Sequence, residues 1–490
     1  MVVKLRRPIL VGGLALSFSL WILQSWHDSI VQLGEFSLLS ILAVSGGLSL
    51  WKRKHHQHDD MTDVLPSDRS WVENAIAKAE VSINYLNQEA GNDIDASYIA
   101  SLKQQIPLLY TELDRQSINL AVTGGKSVGK TTLIQVLSSS QWQPEADKLV
   151  IFQETNPLFM EASERSDAAI LEDTNFTDAV LFLTSGDLTD TEYQTLQQLK
   201  ALQQRLILIF SKQDQYLPEE RASILQSLQQ RMSCVIFGTT TSPSPVKVRK
   251  HINDGSIQEW LEQPEPDVQQ LTQQLGEIIV NRGQQLVWAT TMRKAVALHN
   301  QTKDCLNGIR RARSLPIIEQ YQWIAAAAAF ANPIPVLDMV ATAAISGQMV
   351  VDLGGVYQEK FSLDQAKTVA GEMGSLMLKL GLVELSTKAI TTILKTNAIT
   401  FVAGGLVEGL GAAYLTRLAG LSLLEYFQQQ EIPVEAKEGL NIEKLRQVLE
   451  SVFQKNQQVG LMQGFVKQGV KRLLPESTDG ELIALEKAMG

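Results

Sequence analysis

A glycine-rich loop that follows a short apolar strand constrains this chain more than any other feature. The residues SINLAVT (117–123) alternate as a strand does, and a helical spacing of apolar residues begins after the loop. The loop matches the Walker A pattern G-x-x-x-x-G-K-T with Gly124, Gly125, Lys126, Ser127, Val128, Gly129, Lys130 and Thr131. Strand, loop and helix in this order predict a phosphate-binding loop, with a glycine turn that merely caps a helix as the alternative.

The chemistry of phosphate binding explains this spacing. Glycines let backbone N–H groups wrap around phosphates, and the start of the following helix adds its positive end. Lys130 is expected to reach the β- and γ-phosphates, and the Thr131 hydroxyl to bind Mg²⁺. We predict Lys130 and Thr131 as the catalytic residues. The predicted phosphate-binding residues are Gly124, Gly125, Lys126, Ser127, Val128, Gly129, Lys130, Thr131 and Thr132.

The residues after the loop predict a doubly wound α/β domain over 115–242. Helical patterns at 190–204 and 217–231 separate short apolar runs. The runs are LVIFQ (149–153), DAVLFLT (178–184), RLILIF (205–210) and CVIFGT (234–239). Ligands of such parallel sheets bind at the carboxyl ends of the strands.

The loop after RLILIF resembles a known family. Ser211-Lys212-Gln213-Asp214 is similar to the N/T-K-x-D element of Ras- and Era-like P-loop GTPases. The resemblance implies that Asp214 accepts hydrogen bonds from guanine, and that Lys212 packs over the base. Ser211 stands where the family has Asn, and Thr240 lies in the place of a second, weaker base-contacting loop. The implied ligands are GTP and GDP with Mg²⁺, although a plain polar loop would also fit these four residues.

The sequence departs from that family where hydrolysis is controlled. The family carries D-x-x-G, whereas this chain has Glu154-Thr155-Asn156-Pro157 after LVIFQ. Glu154 is a candidate magnesium ligand, but Pro157 has no N–H with which to sense a γ-phosphate. Glu172 and Asp173 are a second, poorer candidate. We therefore expect GTP binding with slow intrinsic hydrolysis, unless a partner or dimer completes the site.

Residues 1–60 predict a membrane hairpin with spans at about 8–26 and 30–51. The first span is charge-free and close to the roughly 20 residues that cross a bilayer, and the second includes Glu35. Basic residues flank both spans, and the turn between them has none. The positive-inside rule then places both ends, and the GTPase domain, in the cytoplasm. A cleaved signal peptide and a buried core helix are the alternatives.

The rest of the chain predicts helices and linkers. Residues 61–114 read as a linker with two amphipathic helices, and 243–266 as a polar linker. Residues 267–430 read as an Ala/Gly-rich all-α domain, followed by C-terminal helices over 431–490.

The predicted all-α domain over 267–430 also resembles a known family. QWIAAAAAFANPIPVLD (322–338), KLGLVELS (379–386) and AAYLTRLAGLSLLEYF (412–427) resemble bacterial GTP-binding proteins that carry domain of unknown function 697. This implies an architecture more than an activity. The bundle is either buried within the protein or associated with lipid, for which Gly405 and Gly409 provide small-residue spacing.

Composition narrows the function further. The chain has 43 Lys+Arg against 53 Asp+Glu, a net charge of −10, which argues against a nucleic-acid partner. Two cysteines exclude a disulfide framework. Three hypotheses remain: a membrane-anchored GTP-binding switch or slow GTPase, a dynamin-like membrane-remodelling GTPase, and a non-hydrolysing membrane scaffold. Expected partners are the lipid bilayer, further copies of the chain and an unknown protein effector.

Overall fold

A computed structural model of the chain describes residues 66, 68–91, 93–139, 148–160, 165–201, 204–251, 257–331, 335–396, 403–430, 441–456 and 459–473. Both predicted membrane spans, 8–26 and 30–51, lie outside these residues. Among the helices of the described part, none is both long enough and apolar enough to cross a membrane.

Two helices precede the α/β domain, at the positions where apolar spacing predicted them. They are α1 (Arg69–Ala90) and α2 (Ala96–Glu112). The side chain of Asp68 caps α1 by accepting a hydrogen bond from the backbone N–H of Ser70. Both helices bury an apolar stripe, and their buried residues pack into one cluster with a later helix.

Five parallel strands form the sheet of the described α/β domain, in the spatial order β2-β1-β3-β4-β5. β3 and β4 are buried along their whole length because both of their faces are apolar and covered. β2 lies at one edge, where Leu149 and Ile151 are exposed. The strands are β1 (Ser117–Gly124), β2 (Leu149–Glu154), β3 (Ala179–Thr184), β4 (Leu206–Phe210) and β5 (Val235–Gly238).

Helices cover both faces of this sheet. The helix that follows the glycine-rich loop, α3 (Lys130–Ser139), packs against alternate residues of β1, such as Ile118 and Leu120. The opposite face packs against three helices: α4 (Asp167–Thr174), α5 (Asp190–Ala201) and α6 (Pro218–Arg231). The result is the doubly wound arrangement that the sequence predicted.

The predicted linker over 243–266 contains an antiparallel hairpin, whose strands make up half of its residues. Its strands are β6 (Val246–His251) and β7 (Ile257–Glu262), paired so that Val248 faces Trp260. Ion pairs from Lys247 and Arg249 to Glu259 cross the hairpin. The signal for it was present, since Asp254-Gly255 is a favoured hairpin-turn dipeptide.

One helix of 63 residues, α7 (Gln269–Ala331), runs through the described part of the molecule. At 1.5 Å per residue it is about 95 Å long. Its first segment, including Leu271, packs into the sheet. Its middle, including Leu298, packs against α1 and α2, and Ile318 and Ala326 near its end pack into the C-terminal bundle.

Two of the predicted domain boundaries lie at elements whose residues share a core. The boundary at 267 fell where α7 begins, but the first turns of this helix belong to the sheet's own core. The boundary at 430 separated helices that share a core, since Leu445 and Val466 pack with Leu424. Apolar periodicity shows which face of a helix is buried, but it does not show which element covers that face.

The C-terminal bundle packs closely against the end of α7. A Cβ added at Gly409 would lie 3.0 Å from the Ala326 carbonyl oxygen, and one at Gly405 would lie 3.2 Å from that of Phe330. The small residues therefore bring two helix backbones together within the protein. The bundle helices are α8 (Pro335–Val356), α9 (Leu363–Lys379), α10 (Leu382–Thr396), α11 (Ala403–Gln428), α12 (Ile442–Asn456) and α13 (Val459–Leu473).

A buried ion pair joins three of these parts. Arg310 on α7 donates to Glu89 on α1 through Nε at 2.9 Å and Nη2 at 2.6 Å. The two side chains are only 5% and 9% exposed. The Gln358 amide, at the end of α8, also donates to Glu89, and the Arg310 guanidinium lies 5.3 Å from the centre of the Tyr357 ring.

We expect Arg310→Gln to lower the free energy of unfolding by about 3–5 kcal/mol, because it leaves the Glu89 carboxylate buried without its partner. Arg313→Gln is the control, since Arg313 pairs with Asp93 at the surface and such pairs contribute at most about 1 kcal/mol. Denaturant titration of both variants measures the difference. Equal losses in the two variants would contradict this role of the buried pair.

Candidate functional site

The glycine-rich loop connects the carboxyl end of β1 to the start of α3. Gly124 and Gly129 have φ angles of 142° and 97°, which residues with a side chain rarely adopt. A Cβ at Gly124 would also lie 2.4 Å from the Leu183 carbonyl oxygen of β3. Glycine is therefore required where the loop leaves the sheet, and the loop curls at the edge where parallel sheets bind ligands.

The side chain of Lys130 lies against the backbone at the start of this loop. Its side chain is 6% exposed, and Nζ donates to the carbonyl oxygens of Gly124 at 3.0 Å and Gly125 at 2.8 Å. Burial lowers the pKa of the Lys130 ammonium, and the nearby Glu154 carboxylate partly restores it. A group with negative charge at this position would offset the desolvation of the ammonium, which is what a nucleotide phosphate provides.

Thr131 and Glu154 form the candidate magnesium site. The Thr131 hydroxyl donates to the Glu154 carboxylate at 2.8 Å, because the β1–β2 register places Glu154 beside Val122. Hydroxyl and carboxylate oxygens are ligands that Mg²⁺ accepts. The described residues hold no cluster of three or more metal-binding side chains. Two protein oxygens nevertheless suffice for Mg²⁺, which completes its shell with water and phosphate oxygens.

The other magnesium candidate is at the wrong end of the sheet. Glu172 and Asp173 lie at the end of α4, just before β3 begins, and so at the amino edge of the strands. Asp173 pairs there with Arg165 at 2.7 Å. Glu154 therefore lies beside the phosphate loop, whereas Glu172 and Asp173 do not.

The segment after β2 is tied to the phosphate loop by its backbone. Thr155 N–H donates to the Val122 carbonyl oxygen at 3.0 Å, and Leu158 N–H donates to that of Gly124 at 3.1 Å. The Thr155 hydroxyl also donates to Thr123, and Leu158 is buried. These bonds hold the residues that replace D-x-x-G, among which Pro157 offers no backbone donor.

Ser211 supports the phosphate loop from the neighbouring strand. Its hydroxyl lies 2.6 Å from the Val128 carbonyl oxygen and 3.1 Å from that of Thr184, and the residue is 2% exposed. The sequence predicted Ser211 as a nucleotide-binding residue. In the structure its hydroxyl bonds the loop that would hold the phosphates.

The candidate base-recognition residues lie beside that loop. Lys212 adopts a left-handed conformation with φ of 55°, and Asp214 sits in a short 3₁₀ turn, Gln213–Gln215. The Asp214 carboxylate accepts from the Ser244 N–H at 3.4 Å. Both residues are half-buried, so their side chains remain accessible to a ligand.

Asp267 is a residue of this edge that sequence reasoning missed. Its backbone exchanges two hydrogen bonds with Thr240, at 2.8 and 2.9 Å, and its carboxylate accepts from the Gln213 amide at 3.0 Å. Thr240 is thus held by main-chain pairing, and it is 5% exposed. Asp267 lies in a polar stretch, QPEPD (263–267), that carries no local signal for this contact.

The predicted site residues fall into two groups. One group surrounds the phosphate loop and the other lies on the two adjacent loops that follow β4 and β5. The first contains Gly124, Gly125, Lys126, Ser127, Val128, Gly129, Lys130, Thr131, Thr132, Glu154 and Ser211, and the second contains Lys212, Asp214 and Thr240.

We expect Ser211→Ala to lower the free energy of unfolding by about 1–3 kcal/mol, because it leaves the buried Val128 carbonyl without this donor. Nucleotide affinity should fall with it, since the loop loses one of its supports. Ser139→Ala, at the exposed end of α3, is the control and should change neither quantity by much. Unfolding and nucleotide titrations that show no difference between the two variants would contradict this role.

Comparisons with known proteins identify part of the chain. Residues 293–458 match the family model described as Domain of unknown function (DUF697). This range contains the end of α7 and most of the bundle. A search of curated proteins found no match.

Among solved structures, three are similar to parts of this fold. Elongation factor SelB from Methanococcus maripaludis, in its apo form, is 16% identical over 26% of this chain and 30% of that one, with a TM-score of 0.21. The G domain of the T. maritima FeoB iron transporter is 15% identical over 26% and 88%, with a TM-score of 0.20. An oligomerised bacterial dynamin pair, described as sensing and tethering membranes, is 11% identical over 85% and 79%, with a TM-score of 0.23. The chain spans less than a third of the SelB structure, and no functional argument rests on likenesses this distant.

Proposed function

We propose that this protein is a membrane-anchored guanine-nucleotide-binding protein, a switch or slow GTPase whose nucleotide state is coupled to the C-terminal bundle. The observation that carries the proposal is the arrangement around the phosphate loop. Lys130 Nζ lies at the loop mouth, and the Thr131 hydroxyl meets the Glu154 carboxylate 2.8 Å away. Together they provide a cationic and a metal-binding group for a nucleoside triphosphate.

Preference for guanine rests on the loop after β4. The half-buried Asp214 carboxylate can accept from two guanine donors, which adenine does not present in the same place. Lys212 supplies an aliphatic stem beside it. Asp267 holds Gln213 and the loop after β5 together, so the base side of the site is preorganised.

Slow turnover follows from the segment after β2. Mg²⁺ held by Thr131 and Glu154 would neutralise phosphate charge. Pro157, however, offers no N–H to a γ-phosphate, and the bonds from Thr155 and Leu158 hold this segment against the loop. A second copy or a protein effector that adds a cationic side chain would raise the rate.

Coupling to the bundle runs through α7. This helix begins in the core of the sheet and ends in the core of the bundle, so a shift at one end is transmitted along it. The predicted hairpin in residues 1–60 would anchor the whole chain to the bilayer. A nucleic acid is not among the proposed partners, because the net charge is −10.

Nucleotide binding by the full chain in a neutral detergent tests the proposal. With Mg²⁺, GTP and GDP should bind more tightly than ATP. Lys130→Ala should weaken all three by about 10- to 100-fold, because it removes a charge-assisted hydrogen bond to phosphate. Asp214→Asn should weaken guanine nucleotides alone.

Lys103→Ala and Asp364→Asn are the controls, since both side chains are exposed, on α2 and α9, away from the phosphate loop. Equal or tighter binding of ATP would contradict the reading of Ser211–Asp214, and no binding would contradict the phosphate site. If vesicles or self-assembly stimulate GTP turnover, this would favour the hypothesis of a dynamin-like membrane-remodelling GTPase. Tight binding without turnover would favour a scaffold.

A further inference from the structure

A small cavity lies within the C-terminal bundle, between α11, α12 and α13. Its volume is about 130 Å³, and it is lined by Tyr414, Arg417, Asn456, Leu461, Phe465 and Gln468. It is remote from the phosphate loop, since the path along α7 from Val287 in the sheet to Gln322 beside the cavity is about 50 Å. Pockets for drug-sized ligands measure about 300–1,000 Å³, so this one admits a single small group and no nucleotide.

The wall of the cavity carries one positive charge. Arg417 donates from Nη1 to the side-chain oxygen of the buried Gln322 at 3.3 Å, and among the described residues it has no carboxylate partner. The other lining residues are uncharged. Burial raises the pKa of the Tyr414 phenol to about 12, so this group stays protonated at neutral pH. A guanidinium has five N–H donors, so four remain for a ligand.

The rest of the wall is mixed, because the Asn456 and Gln468 amides line it together with two aromatic rings and Leu461. The Phe465 ring lies 5.6 Å from that of Tyr414 and 5.8 Å from that of Trp323, which fixes it in place. Leu461 stands at the rim and is 56% exposed. A ligand whose anionic group lies beside the guanidinium would therefore contact amides as well as aromatic rings and Leu461, which suits an amphiphilic molecule.

The helix beside the cavity is basic. α13 carries Lys467, Lys471 and Arg472 and has no acidic residue, although Arg472 pairs with Glu319 of α7 at 2.8 Å. The chain as a whole has a net charge of −10, so most of its surface is repelled by an anionic bilayer. A local basic helix with an exposed leucine is the part suited to such a surface.

We propose that this cavity binds the phosphate group of an anionic phospholipid. Arg417 contacts the phosphate oxygens through paired N–H donors, a geometry that guanidinium groups favour. Leu461 contacts the glycerol and upper acyl region, and α13 faces the headgroups of neighbouring lipids. The site is independent of the nucleotide function, because none of its residues belongs to the phosphate loop.

Calorimetric titration of the full chain in a neutral detergent tests this site, with GDP and Mg²⁺ present throughout. The probes are dihexanoylphosphatidylglycerol below its micelle concentration, dihexanoylphosphatidylcholine, inorganic phosphate and acetate. Only binding that depends on Arg417 is assigned to the cavity. We expect phosphatidylglycerol to bind most tightly, and Arg417→Gln to weaken it by about 10- to 100-fold through the loss of a charge-assisted contact.

Lys388→Gln is the matched control, because it removes one positive charge from an exposed position of the same bundle. It should leave the affinity unchanged. Leu461→Glu, also exposed, should weaken the lipid and leave inorganic phosphate within about twofold. Circular dichroism confirms that each variant is folded.

Three results would overturn the proposal. If phosphatidylglycerol binds the Arg417→Gln and Lys388→Gln variants with equal affinity, Arg417 does not form an anion site. Inorganic phosphate that binds as tightly as the lipid, with no effect of Leu461→Glu, would assign the cavity to free phosphate. Acetate that binds more tightly than either would assign it to a carboxylate, such as that of a protein partner.

Discussion

The continuity of one 63-residue helix holds this structure together. α7 contributes side chains to the core of the sheet, to the cluster with α1 and α2, and to the C-terminal bundle. The ion pair of Arg310 with Glu89 lies where the second and third of these clusters meet. Because a helix is stiff along its axis, these regions are mechanically connected. α7 helps to form one core in each of them, whereas the core on the other face of the sheet forms without it.

The candidate site depends on contacts between residues that are far apart in sequence. Ser211 bonds the Val128 carbonyl, Asp267 bonds Thr240 and Gln213, and Leu158 bonds Gly124. Such bonds fix the phosphate loop and the base-recognition loops relative to each other before a ligand binds. Preorganisation of this kind lowers the cost of binding. The bond from Leu158 also restrains the segment that replaces D-x-x-G.

Local patterns predicted the elements of the α/β domain well. LVIFQ, DAVLFLT, RLILIF and CVIFGT all form strands. The continuous apolar runs of DAVLFLT and RLILIF form the fully buried parallel strands, whereas LVIFQ forms an exposed edge strand. The hairpin of β6 and β7 was missed even though Asp254-Gly255 signalled its turn, since charged residues flank it on both sides. The predicted domain boundaries do not coincide with the buried cores, because the apolar stripe of α7 continues while its packing partners change.

The glycine-rich loop and the candidate residues around it can be recognised from the sequence alone. Gly124 and Gly129 are needed for backbone angles that other residues rarely adopt, and Lys130 and Thr131 follow at fixed positions, so the motif is local. Folding is needed to bring Ser211 against this loop and to join Asp267 to the loops that follow β4 and β5. It alone also placed Arg417 in a cavity wall. These roles depend on which distant segments meet, and that is set by the packing of whole helices and strands.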